Sequence, residues 1–173
     1  MSLDPVVALT LYWSLALLFA AAALHKLRDW RGFLAALAGY RLLPAPRVRV
    51  AAAAVCLAEL AVAAGLAMQA PGAAAAAAGL LTCYALAMAA TLRRGHRLPD
   101  CGCGGRAQPL SWALVGRNVT LAAVSLAALI PASERTLGWL DGFTAVAGVA
   151  AVAVLYGAID ALVAVGARPG EAG

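Results

Sequence analysis

Charge is what this chain has least of. Only 12% of its 173 residues are Asp, Glu, Lys or Arg, against roughly one quarter in soluble domains. That balance, with a mean hydropathy of +0.88, excludes an ordinary soluble catalytic domain. Basic residues are also missing from the start: MSLDP carries no cationic region. The apolar block behind it is too long for a signal-peptide core, so it reads as a retained anchor. There is no solenoid repeat and no soluble linker. The paired sets of Cys and His that a closed zinc site uses are missing too, since the four cysteines supply one close pair, in LPDCGCGGRAQP.

What is present is a series of apolar blocks, residues 5–24, 50–70, 72–92, 110–130 and 142–165, each about 20 residues long as a transmembrane helix requires. The expected fold is all-α: an integral membrane helical bundle with a four-helix core, a fifth span and an interfacial helix, in one transmembrane domain over residues 1–173. Alanine runs such as GAAAAAAGLL suit close helix packing in lipid. After the first block, DWRGFLAALAGYRLLP sets Trp30, Phe33, Leu34 and Leu37 at helical spacing. Asp29 is an N-cap and Pro44 a stop, so an interfacial helix is expected at about 29–41. Pro71 and Gly72 predict a tight turn that pairs the second and third blocks.

The net charge of +5 is concentrated in two connections. Lys26, Arg28, Arg31, Arg41, Arg47 and Arg49 lie between the first two blocks, and Arg93, Arg94, Arg97 and Arg106 between the third and fourth. By the positive-inside rule both connections face the cytoplasm and the N-terminus faces outward. The expected location is the inner (plasma) membrane, multi-pass. Arginines flanking spans suit anionic lipid headgroups, so a bilayer rather than nucleic acid is the partner they imply.

The Cys-Gly-Cys loop, residues 93–109, is where function is expected, because long connections in compact folds tend to carry it. Residues one position apart have Cα atoms roughly 5.5–7 Å apart, overlapping the disulfide range, and Gly102 adds flexibility. A Cys101–Cys103 bond closes a small, strained ring, which makes it a labile electron acceptor. Arg97 and Arg106 favour the thiolate. The same thiolates suit a soft metal, Cu, Hg or Zn, with His96, Cys56 or Cys83 completing the site, and inert small residues are a third reading. Cys56 and Cys83 both fall roughly 13–15 Å from the basic face by helix rise. They could meet as a relay pair if both face the bundle interior; the competing and stronger reading is that each packs as a small hydrophobe.

Glu59 falls mid-span, where a carboxylate is costly unless protonated, paired or facing water; it is the candidate proton carrier, with a protonated structural carboxyl bonded to a neighbouring helix as the equal alternative. Arg117 and Asp160 sit about 10 and 8 Å from the basic face by the same rise, so a structural ion pair between them is expected. Asn118 is placed to hydrogen-bond across helices. His25 and His96, at the two basic connections, are candidate ligands for a quinone carbonyl or a metal.

These residues resemble the methylamine utilisation protein MauE family, within the wider group of DoxX-like small membrane proteins. The resemblance covers about residues 10–125. It rests on HKLRDWRGFLAALAGYRLLP, on Glu59 in CLAELAVAAGL, on RRGHRLPDCGCGG and on GRNVTL. Gly104 stands where the family motif carries an aromatic residue. The resemblance implies a polytopic bundle needed to mature methylamine dehydrogenase, whose small subunit is rich in disulfides, beside a thioredoxin-like partner. It implies Cys101 and Cys103 as the redox pair, supported by Lys26, Tyr40, Glu59 and Asn118. The expected function is therefore thiol–disulfide exchange with a thioredoxin-like or disulfide-rich exported protein, possible enzymatic turnover included, with quinone as the one cofactor considered. The alternative is soft-metal binding or transport.

Overall fold

A computed structural model describes residues 2–96 and 108–166. They form six helices: α1 (Pro5–Arg28), α2 (Trp30–Gly39), α3 (Ala45–Ala67), α4 (Ala73–Arg93), α5 (Trp112–Ala127) and α6 (Trp139–Gly166). Among the described residues there is no strand, only an isolated bridge between Leu3 and Ala132. Helices α1, α3, α4 and α6 are long and apolar enough to cross a bilayer. The chain is an all-helical, multi-pass membrane protein.

Local chemistry sets the boundaries. The Asp4 side chain accepts from the Val6 N–H at 2.8 Å, with Pro5 opening α1. The Asp29 side chain accepts from the Gly32 N–H at 3.0 Å and starts α2, as its N-cap position requires. Pro44 and Pro46 open α3. Gly72, at φ 83°, provides the left-handed position that turns the chain into α4.

Helix α1 packs against α3 and α6, α4 lies along α5, and α3 contacts α4. The core is built from Leu15, Ala16 and Phe19 of α1, Val62, Ala63 and Leu66 of α3, Ala74, Ala77 and Leu81 of α4, and Ala122 of α5. Alanines on α4 let its backbone approach closely, the way membrane helices associate without a hydrophobic drive. At Gly148 a Cβ would stand 3.0 Å from Thr10 Cγ2, so α1 and α6 approach closely there and a larger residue would require the Thr10 side chain to shift. At the far end, Leu3 donates to the Pro131 carbonyl at 2.9 Å and accepts from Ser133 at 2.8 Å. Arg135 joins Asp4 at 3.3 Å and Asp141 at 3.0 Å, tying the N-terminal segment to the connection before α6.

Two sequence expectations need correction. The first block ends at 24 by composition, but α1 runs to Arg28 and carries Lys26 inside the bundle, 3% exposed, so Lys26 is not a loop charge. The block at 110–130 contains a helix of 16 residues, about 24 Å long against a hydrocarbon core of about 30 Å. The non-helical residues before it, Gln108 and Leu110, are buried, which is how irregular backbone is accommodated in membrane proteins. Helix α2, at the place expected of the interfacial helix, packs one face inward: Phe33 is buried against Ala52 and Cys56 of α3, and Trp30, Leu34 and Leu37 pack around them.

Candidate functional site

Glu59 is fully buried on α3. Lys26 Nζ of α1 lies 2.6 Å from its Oε1, with both side chains at 3% exposure or less. The Tyr84 hydroxyl of α4 donates to the same oxygen at 2.8 Å. The ammonium also sits 5.5 Å from the Phe33 ring centre and 5.7 Å from that of Tyr84, so two aromatic faces replace part of its lost hydration. One carboxylate thus joins α1, α3 and α4, and α2 closes over them through Phe33. The second carboxylate oxygen, Oε2, is buried without a hydrogen-bond partner among the described residues.

A second polar centre lies across the core. Arg117 Nη1 of α5 is 2.7 Å from Asp160 Oδ1 of α6, the pair expected from helix rise. The guanidinium lies 5.9 Å from the Tyr156 ring centre. Gln108 Nε2 donates to the Asp160 carbonyl at 3.0 Å, so the chain returning from the Cys-Gly-Cys loop is fastened to α6. Asn118 Nδ2 donates to the Leu114 carbonyl at 2.8 Å and lies 3.8 Å from Met88 Sδ. A chamber of about 40 Å³ joins the two centres, lined by Glu59, Tyr84, Arg117, Asn118 and Tyr156 among others.

Cys101, Cys103, Arg97 and Arg106 lie outside the described residues. The relay expected of Cys56 and Cys83 is not assembled: Cys56 is buried towards α2, whereas Cys83 is exposed, and both are free thiols. Neighbouring positions on a helix face different directions, and it is Tyr84 that points inward. Among the described residues no three His, Cys, Asp or Glu side chains come together as a metal site.

Residues 4–131 match the family described as Methylamine utilisation protein MauE. The chain belongs to the MauE family. Among its relatives, the Methylamine utilization protein MauE of Paracoccus denitrificans is 44% identical over 155 residues, 83% of each chain. That of Methylorubrum extorquens is 40% identical over 134 residues, 74% of this chain and 72% of the relative. That of Methylophilus methylotrophus is 34% identical over 170 residues, covering 92% and 87%. No solved structure matches significantly.

The four positions expected to support the thiols in a MauE protein, Lys26, Tyr40, Glu59 and Asn118, are all buried, at 3, 6, 0 and 4% exposure. Lys26 and Glu59 form the ion pair. Tyr40 packs with Met88, Leu110 and Leu114, and Met88 is the residue Asn118 touches. Tyr84, Phe33 and Gln108 are the site residues of this MauE chain that sequence reasoning missed. Tyr84 continues the buried face of Ala77, Leu81 and Met88 at i, i+4, i+7 and i+11, but α4 is apolar on all sides, so its sequence carries no periodic signal that singles out that face.

Proposed function

We propose that this MauE-family chain is a membrane thiol–disulfide exchange protein acting in methylamine utilisation, with Cys101 and Cys103 as the reacting pair. A thioredoxin-like protein, or a disulfide-rich exported one, is the partner, met on the cytoplasmic side if the basic connections face inward. In the exchange, one thiolate attacks a partner disulfide, a mixed disulfide forms, and the second thiolate resolves it; two electrons and two protons leave the dithiol. The protons need a carrier inside the low-dielectric bundle. Glu59, held by Lys26 and Tyr84 at one oxygen and open at the other, is suited to take one at Oε2.

The supporting observation is the anchorage of Gln108 on Asp160, which is in turn paired with Arg117 on the wall of the Glu59 chamber. Gln108 follows Cys103 by five residues and Cys101 by seven, so chain length alone limits their distances from Gln108 to roughly 18 and 25 Å.

The test is exchange with a thioredoxin-like protein, read by mass-tag alkylation of purified protein in detergent. Cys101→Ser and Cys103→Ser are each expected to abolish it, while Cys83→Ser leaves it at the wild-type rate. Full turnover in either loop variant refutes the reading. So does stoichiometric Cu(I) or Zn binding by the reduced protein with no exchange, which transfers the assignment to a soft-metal carrier.

A further inference from the structure

The ion pair on α1 and α3 answers only half of its carboxylate. Lys26 and Tyr84 both bond Glu59 Oε1, while Oε2 of the same fully buried side chain has no hydrogen-bond partner among the described residues. An acceptor orphaned on a charged group is costly in an apolar interior, and buried polar atoms are nearly always given a donor. The chamber of about 40 Å³ that Glu59 lines is where that donor can stand. Its walls are apolar at Phe19, Leu81 and Leu121 and polar at Glu59, Arg117 and Asn118.

We propose that this chamber is a binding site for internal water, which donates to Glu59 Oε2 and accepts from the Arg117 guanidinium or the Asn118 amide. Size, charge and polarity each select water. A buried water needs at least about 10–15 Å³ and occupies about 30 Å³ in the liquid, so 40 Å³ admits one or two waters and no organic ring or headgroup. Lys26 and Glu59 already cancel in charge, so a metal cation or a further anion would add an uncompensated buried charge. A carboxylate oxygen only accepts, and guanidinium and amide N–H groups only donate, so an occupant that bridges them must do both. The water joins Glu59 of α3 to α5 and makes one network of the two polar centres. On the thiol-exchange reading, on which this step alone rests, it also carries the proton to Glu59: it takes up one released by the dithiol, gives one to Oε2, and ends as water.

Water binding is independent of the thiols, and X-ray hydroxyl-radical footprinting of the full-length protein in detergent reads it. A water held in place is split where it sits and oxidises the side chains it touches, buried or not. Phe19, 2% exposed on the chamber wall, should therefore be oxidised faster than Phe33, 8% exposed and outside the chamber. The expected ratio is at least about fivefold, since an ordered internal water stays beside its wall. The Cys101→Ser/Cys103→Ser variant should give the same ratio. Ala22→Leu fills the chamber from α1, and Lys26→Met/Glu59→Met removes the acceptor at similar volume; each should bring Phe19 to the level of Phe33. Ala20→Leu, exposed on α1 and outside the chamber, should leave the labelling unchanged. Phe19 oxidised no faster than Phe33 in the wild type, or wild-type labelling of Phe19 in either the Ala22→Leu or the double-Met variant, overturns the water site. Wild-type labelling combined with failed thiol exchange retains the water and rejects the exchange. Label lost in Ala22→Leu while its exchange keeps the wild-type rate rejects the proton step.

Discussion

Replacing Lys26 by Met removes one charge from a fully buried pair while keeping most of the side-chain volume. At 2.6 Å two unit charges attract by about 6 kcal/mol at an effective dielectric of ~20. Much of that is consumed by desolvating both groups, so the pair's net worth is far smaller. Breaking it is a different matter, because the survivor stays buried. Lys26→Met leaves Glu59 with Tyr84 alone, and Glu59→Gln leaves the ammonium with Phe33 and Tyr84 faces. Each is expected to cost about 3–5 kcal/mol of stability. The Lys26→Met/Glu59→Gln double variant buries no net charge and keeps an oxygen for Tyr84. It should lose clearly less than the sum of the singles, a coupling of at least about 2 kcal/mol. Tyr84→Phe, which removes one hydrogen bond to a charged group, should cost about 1.5–3 kcal/mol. Unfolding titrations of the purified protein in mixed micelles give all four values. Single variants each within about 1 kcal/mol of wild type, with strictly additive effects, would refute the reasoning, because ion-pair breakage on this scale belongs to buried pairs alone.

Two further outcomes follow from the other polar contacts. Asp160→Ala leaves Arg117 without its carboxylate but keeps the backbone carbonyl that Gln108 uses; with both side chains only 16–17% exposed, the expected loss is about 1–3 kcal/mol, between the surface and buried regimes. Asp160→Ala/Arg117→Met should recover part of it in the same titration. At the opposite end, the Val6 N–H and the Arg135 guanidinium hold the Asp4 carboxyl below its usual value of 3.8. A depressed carboxylate gives its full stabilisation above the unfolded value and loses it as pH falls through the folded one. The tie between residue 4 and residue 135 should therefore persist at pH 5–7 and loosen below about pH 4. Proteolysis at the connection before α6 should rise there in wild type and change less with pH in Asp4→Asn.

The parts of the fold that composition reveals are those set by one-dimensional properties. Block length locates the helices, Asp29 starts α2, Pro71 and Gly72 turn α3 into α4, and helix rise alone puts Arg117 level with Asp160. What composition hides is rotation about the helix axis. In helices apolar on all sides, periodicity carries little information, so which of two adjacent residues faces inward is lost. Cys83 attracts notice for its chemistry, yet Tyr84 beside it reaches Glu59. By composition Lys26 reads as a charge of the first connection, because a cation at the end of an apolar run usually reaches for the interface. It is instead the next member of the α1 face Leu15, Phe19, Ala23, all buried, and a carboxylate on α3 gives it a reason to turn inward. Glu59, an isolated charge in the middle of a block, is recognisable because no interface is near enough for its short side chain to reach.

The two polar centres divide the bundle between them. Lys26, Glu59 and Tyr84 join α1, α3 and α4, with α2 laid over them. Arg117 and Asp160 join α5 and α6, and Gln108 adds the returning end of the thiol loop. Apolar contact in lipid has little directional preference, so packing alone leaves such helices free to slide and rotate, whereas a buried ion pair tolerates only a narrow set of positions before its charges are left unpaired. Each centre therefore acts as a fixed point of register for its own helices, and the chamber lined by both Glu59 and Arg117 is the place where the two halves must agree. Gln108, bonded to the Asp160 carbonyl, inherits that register, so its own position relative to Glu59 is set by side-chain chemistry in the interior of the bundle.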